Sequence, residues 1–148
     1  MKWLLDTNVV SEGIRTRPSP RVVGWLSSQA RHDLAISTVT LAELRDGAAT
    51  ALDEVRRTAL TTWLDTDIAT FFGDRTIPLT VDILMDWIAM SRRLRTNRIT
   101  RDAADMLIAA TARVHGLVLA TRNLRDFADT GIVVYDPWND QTHRMDPP

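Results

Sequence analysis

The sequence predicts an α/β domain with a mostly parallel central sheet, and three observations carry that expectation. Short apolar runs alternate along the chain with stretches of helical periodicity, the pattern of strands joined by right-handed crossovers. The alanine-rich stretch from Arg101 to His115 passes through Gly116 straight into the apolar run Leu117 to Ala120, a helix-to-strand junction. The first apolar run, Trp3-Leu4-Leu5, stops at a carboxylate, Asp6, where an open parallel sheet binds its ligands.

The elements follow in order. Lys2 to Leu5 reads as the first strand. Pro20 to Ala30 starts with a proline suited to a first helical turn and places Val22, Val23, Trp25 and Leu26 toward a core. Leu34 to Ser37 is the second strand. Val39 to Ala49 and Val55 to Phe72 form a helical pair joined near Asp53, an insertion on the alternating theme. Ile77 to Leu79 is the third strand, and Thr80 caps a helix whose Leu84, Trp87, Ile88 and Leu94 recur at helical spacing up to about Asn97. Arg101 to His115 is the clearest helix, closed by Gly116. Leu117 to Ala120 and Ile132 to Tyr135 complete the sheet. One domain is expected to reach Trp138, with residues 139–148, ending in Pro147-Pro148, fraying as a tail.

Composition narrows the function. A chain of 148 residues with 45% hydrophobic and 25% charged content fits one globular domain with a sizeable core. No apolar stretch approaches membrane-spanning length, and Met1-Lys2 leads into too few apolar residues for a secretory signal. A cytoplasmic chain without membrane contact is expected. The absence of cysteine removes disulfides, thiolate zinc sites and cysteine nucleophiles, so a metal site would use carboxylates and perhaps histidine, ligands that favour magnesium or manganese. A net charge of -1 gives no general footprint for nucleic acid, so a local patch must carry that argument. Lys2 is the only lysine, and Arg92, Arg93, Arg95, Arg98 and Arg101 crowd one stretch. Arginine suits phosphate by its planar fork, although a solvated helix end explains the cluster equally well.

The acids hold the chemistry. A carboxylate at Asp6 is costly to bury unless an arginine, backbone amides or a divalent metal meets it. Glu43 lies in Thr38-Val39-Thr40-Leu41-Ala42-Glu43-Leu44, at another strand end, where Thr40-x-x-Glu43 also matches a capping box. Asp105 sits in the apolar helical surface Ala103 to Ala110. Asp102 lies three residues earlier, where the helix dipole explains it, so Asp105 is the stronger candidate. Thr121 and Asn123, directly after a strand, can point into the crevice of Asp6, while Asp126 reads first as a surface acid. Three acids at strand ends or on a sheet-facing helix share one explanation, a cation held by carboxylates from distant parts of the chain.

Leu4-Leu5-Asp6-Thr7-Asn8-Val9-Val10-Ser11-Glu12, Thr40-Leu41-Ala42-Glu43-Leu44, Asp105-Met106-Leu107-Ile108-Ala109-Ala110-Thr111-Ala112, Thr121-Arg122-Asn123 and Pro137-Trp138 together resemble PIN-domain proteins, specifically VapC-type toxins of type II toxin–antitoxin modules. The resemblance runs from about Lys2 to Trp138. It implies a three-layer α/β/α PIN-like nuclease domain over residues 1–138 and an endoribonuclease dependent on Mg2+, or on Mn2+ in its place. It also implies a cognate antitoxin, an RNA substrate, a homodimer and a toxin–antitoxin hetero-oligomer. By position Asp6, Glu43 and Asp105 match the family's acids, with Asp6 and Asp105 as the metal ligands. Asn123 falls where many members carry a fourth acid, and Asp126 offers a carboxylate nearby. Thr7, Asn8 and Thr121 would support the site, and Arg122, Arg92, Arg93 and Arg95 would meet RNA.

Rival classes fit less well. A receiver-type phosphoacceptor needs a lysine at a late strand end, and an Asp-x-Asp phosphatase needs a second acid where Asn8 stands. A non-catalytic PIN-like module binding RNA or protein is the alternative, because Asn123 brings no charge.

Overall fold

A computed structural model describes residues 1–148. One sheet contains β1 (Trp3–Leu5), β2 (Leu34–Ser37), β3 (Thr76–Ile77), β4 (Val118–Ala120), β5 (Val133–Asp136) and β6 (Gln141–Arg144) in the order β3-β2-β1-β4-β5-β6. All neighbours are parallel except β5 and β6. The helices are α1 (Thr7–Ser11), α2 (Pro20–Ser28), α3 (Thr38–Ala49), α4 (Glu54–Trp63), α5 (Ala69–Phe72), α6 (Val81–Thr96) and α7 (Ala103–His115).

Alternate residues of each strand enter opposite layers. Leu4, Ala35, Ile77, Leu119 and Val134 pack with Ile83, Met90, Leu94, Met106 and Ile108 of α6 and α7. Trp3, Leu5, Leu34, Ile36, Ala120 and Tyr135 pack on the other side with Val9, Val22, Leu44, Ile68 and Phe72. Burial on both faces is why the strands read as unbroken apolar runs. The result is the expected three-layer α/β/α arrangement.

From β1 the chain steps outward through β2 and β3, then returns to place β4 and β5 on the other side. The crevice at that reversal opens above the C-terminal ends of β1 and β4, where the Asp6 amide donates to the Ala120 carbonyl at 3.0 Å.

Capping chemistry sets the helix starts. Ser19 and Pro20 begin α2, Thr80 begins α6, and Asp102 caps α7 by accepting from the Ala104 and Asp105 amides at 2.9 and 3.3 Å. Gly116, at φ 63°, ends α7 in the left-handed region. The capping box read at Thr40 and Glu43 does not form. Ser37 caps α3, its hydroxyl accepting from the Thr40 amide at 3.0 Å, and Glu43 therefore lies beyond the first turn.

Other expectations change as well, and Val23 of α2, read as facing the core, is exposed. The helix read over Val55 to Phe72 is α4 and α5 joined by a π-helical turn, Leu64–Ile68, which buries both of its end residues. The inward face of α6 is Ile83, Met90 and Leu94, while Leu84 and Ile88 are exposed, because packing against α7 selects that face. The tail expected to fray after Trp138 instead carries β6, whose Gln141–Arg144 pairs antiparallel with Val133–Asp136. Its polar Gln-Thr-His-Arg sequence has no apolar signal, because an edge strand needs little burial. No helix is long and apolar enough to cross a membrane.

Candidate active site

Asp6 ends β1, caps α1 and is only 4% exposed. Its Oδ1 accepts from the Thr7 amide at 2.8 Å, and its Oδ2 accepts from the Thr121 hydroxyl at 2.6 Å and the Asn8 side-chain amide at 3.1 Å. Asn8 also donates to Thr121 Oγ1 at 3.1 Å and accepts from the Arg122 amide through Oδ1 at 3.1 Å. The Asn123 amide donates to the same Thr121 oxygen at 3.0 Å. The turns after β1 and β4 are thus one polar network around a single carboxylate.

Two helices complete the site. The direct α7-to-β4 junction makes α7 run back along the sheet, so its capped start stands at the same edge as Asp6. α3 begins at the end of β2 and presents Glu43, which accepts a hydrogen bond from the Thr7 hydroxyl. Asp6, Thr7, Asn8, Glu43, Asp46, Asp105 and Asn123 line a cavity of about 360 Å³ with no apolar and no basic side chain.

Electrostatics there run against ionisation. Burial raises the Asp6 pKa, although the Thr121, Thr7 and Asn8 hydrogen bonds oppose it. Burial also raises Glu43, with the charges of Asp6 and Asp102 adding to it and the Thr7 hydrogen bond opposing. Asp105 is pushed from 3.8 to about 7, by burial first and then by the charges of Asp6, Asp102, Asp126 and Glu43. No guanidinium or ammonium group offsets these acids.

The donor set fits a small divalent cation. A carboxylate has about four lone-pair directions, and three hydrogen bonds leave Asp6 one free. No three acids close into a ready-made cage, so an ion here would be held directly by one or two carboxylates with water in its remaining positions.

The expected site residues separate on this geometry. Asp6, Glu43, Asp105 and Asn123 line the cavity with Thr7 and Asn8, while Thr121 lies buried behind it. Asp126 is exposed outside, yet its charge raises both Asp6 and Asp105. The Arg122 guanidinium lies 5.3 Å from the centre of the Trp138 ring. Arg92 and Arg95 are exposed, but Arg93 is half-buried and its Nε and Nη2 atoms are shielded without a hydrogen-bond partner. Arg101 is engaged with Asp129 at 2.9 Å. Asp46 is the lining acid that sequence reasoning missed; its spacing of three from Glu43 on α3 was the available signal.

The PIN domain family model matches residues 3–133, a span containing all these lining residues. The chain belongs to the PIN-domain family. This PIN domain is 37% identical over 137 residues to Toxin FitB of Neisseria gonorrhoeae, covering 93% of this chain and 99% of that one. It is 33% identical over 135 residues to the VapC ribonuclease Y4jK of Sinorhizobium fredii, covering 91% and 96% of the two chains. A structure of FitAB bound to an IR36 DNA fragment contains a chain that superposes with a TM-score of 0.87 at 34% identity, covering 96% of this chain and 99% of that one.

Proposed function

We propose that this PIN domain is a Mg2+-dependent endoribonuclease, with Mn2+ as the substitute ion, and the toxin of a toxin–antitoxin pair. The observation that carries the reading is the polar cavity at the strand-order reversal, where Asp6, Glu43 and Asp105 face one another without a cationic partner. The similarity to a toxin and to a VapC ribonuclease supports it. A cytoplasmic site of action accords with that role.

Asp6 and Asp105 would hold the ion. When bound, it supplies neutralisation of charge on the phosphoryl oxygens and activation of the attacking water for in-line displacement. Glu43, fixed by the Thr7 hydroxyl, would orient the attacking water. Asn123 adds a neutral amide at the mouth, and Thr121 and Asn8 hold Asp6 in one orientation. A larger groove of about 630 Å³ shares Thr7 and Glu43 with the cavity and continues along Ile14, Leu44, Leu60 and Trp63, with Arg15 and Arg56 on its walls. An amphipathic segment of the antitoxin suits this lining and would cover the site.

Cleavage of a generic RNA in Mg2+, in Mn2+ and in chelator, with and without the product of the neighbouring antitoxin gene, tests the reading. Metal-dependent cleavage blocked by that product is expected. The second reading, a non-catalytic RNA- or protein-binding module, is favoured by the neutral Asn123 and by the absence of a closed three-acid cage. RNA binding without cleavage in either ion would establish it.

A further inference from the structure

Beside the acidic cavity stands a cation on an aromatic floor. Arg122 follows Thr121 at the end of β4; its amide is tied to Asn8, but its exposed guanidinium makes no hydrogen bond and no ion pair. It lies instead 5.3 Å from the centre of the half-buried Trp138 ring. The backbone that carries this ring is held from several directions. Asp136, 3% exposed at the end of β5, spends its carboxylate on the Trp138 amide and the Asn139 side chain, both at 2.8 Å. Arg21 donates to the Trp138 carbonyl at 3.2 Å, and the indole packs against the core beneath α2.

The sheet order makes this placement informative. β1, β4 and β5 are consecutive neighbours, so Asp6, Arg122 and Trp138 follow the ends of adjacent strands, each step about 4.8 Å. A strand of RNA with its phosphate at the cavity would pass this pair roughly one or two nucleotides away. Phosphate attraction alone would need only a charge. The guanidinium is planar and exposed above the indole, and unpaired bases stack on arginine planes and aromatic rings.

We propose that the exposed guanidinium of Arg122, supported by Trp138, stacks an unpaired base beside the scissile phosphate. This inference rests on the ribonuclease reading of the adjacent cavity. Arg122 acts as a positioning residue, by the plane of its side chain more than by its charge.

The test measures binding in chelator of a labelled single-stranded oligoribonucleotide of mixed sequence, and of copies each lacking the base at one position. The wild-type protein should lose about tenfold in affinity at a single abasic position. Arg122→Lys, which keeps the charge and loses the plane, should bind the intact strand about tenfold more weakly and ignore that abasic site. In Mg2+ the same variant should raise KM with little change in kcat. A flat abasic profile in the wild type, an unchanged profile in Arg122→Lys, or equal wild-type affinity for fully duplexed RNA would overturn the proposal. So would intact RNA binding with lost antitoxin binding, which would assign this guanidinium to protein. Because binding is read without metal, a wild-type protein that never cleaves counts against the ribonuclease reading alone.

Discussion

The Thr121 hydroxyl donates to Asp6 Oδ2 at 2.6 Å, joining residues 115 apart across the reversal of strand order. That bond works against burial, which raises the Asp6 pKa. Thr121→Val should therefore raise it further and move the acidic limb of the pH–rate profile to higher pH. It also leaves the Asn123 amide without its protein acceptor. Thr121→Ser should restore both properties. An unmoved acidic limb in the valine variant would separate Thr121 from the chemistry.

Stability should depend on pH through Asp105. Its pKa in the folded protein is about 7, against 3.8 ordinarily, so the folded state binds the proton more tightly. The resulting stabilisation is fully present below 3.8 and is lost as pH rises through about 7. Metal-free melts should fall across that window and flatten in Asp105→Asn. Above it, added Mg2+ should raise the melting temperature of the wild type. A slope unchanged by the substitution would contradict the assignment.

The arginine cluster divides by burial. Arg92 and Arg95 are exposed, whereas Arg101 pairs with Asp129. Charge reversal at Arg92 and Arg95 should weaken RNA binding and flatten its salt dependence across different sequences. Arg101→Ala should leave that slope alone and lower stability instead. An unchanged slope in the double reversal would return the pair to a solvated helix face.

An exposed apolar stripe supports the homodimer. Val81, Met85 and Ile88 of α6 are 74%, 59% and 41% exposed, at spacings that share one face. Met85→Glu should convert a dimer to a monomer in light scattering, and a wild-type monomer at micromolar concentration would exclude this seam.

Much of this was legible because local chemistry announced it. Strands buried on both faces appear as apolar runs, and Asp6, Asp105 and Gly116 each break a local pattern visibly. Glu43 was ambiguous, since a cap and a ligand use the same spacing; the Ser37 cap and the contact with Thr7, on a distant helix, distinguish them. β6 was invisible because its pairing comes from backbone bonds, not apolar side chains. The Arg122–Trp138 contact depends on strand order, which no single segment encodes.

The two metal-ligand candidates should differ when neutralised. Asp6→Asn sets an amide donor against those of Thr121 and Asn8, so it should lose both cleavage and some stability. Asp105 accepts no comparable network, and its ionisation is opposed by burial first and by like-charge repulsion second. The most direct measurement is therefore made on Asp105→Asn: a thermal melt without metal, paired with cleavage of a generic RNA in Mg2+ and Mn2+. The account predicts no cleavage in either ion and a melting temperature equal to or above that of the wild type. Full cleavage, or a large fall in melting temperature, would contradict it.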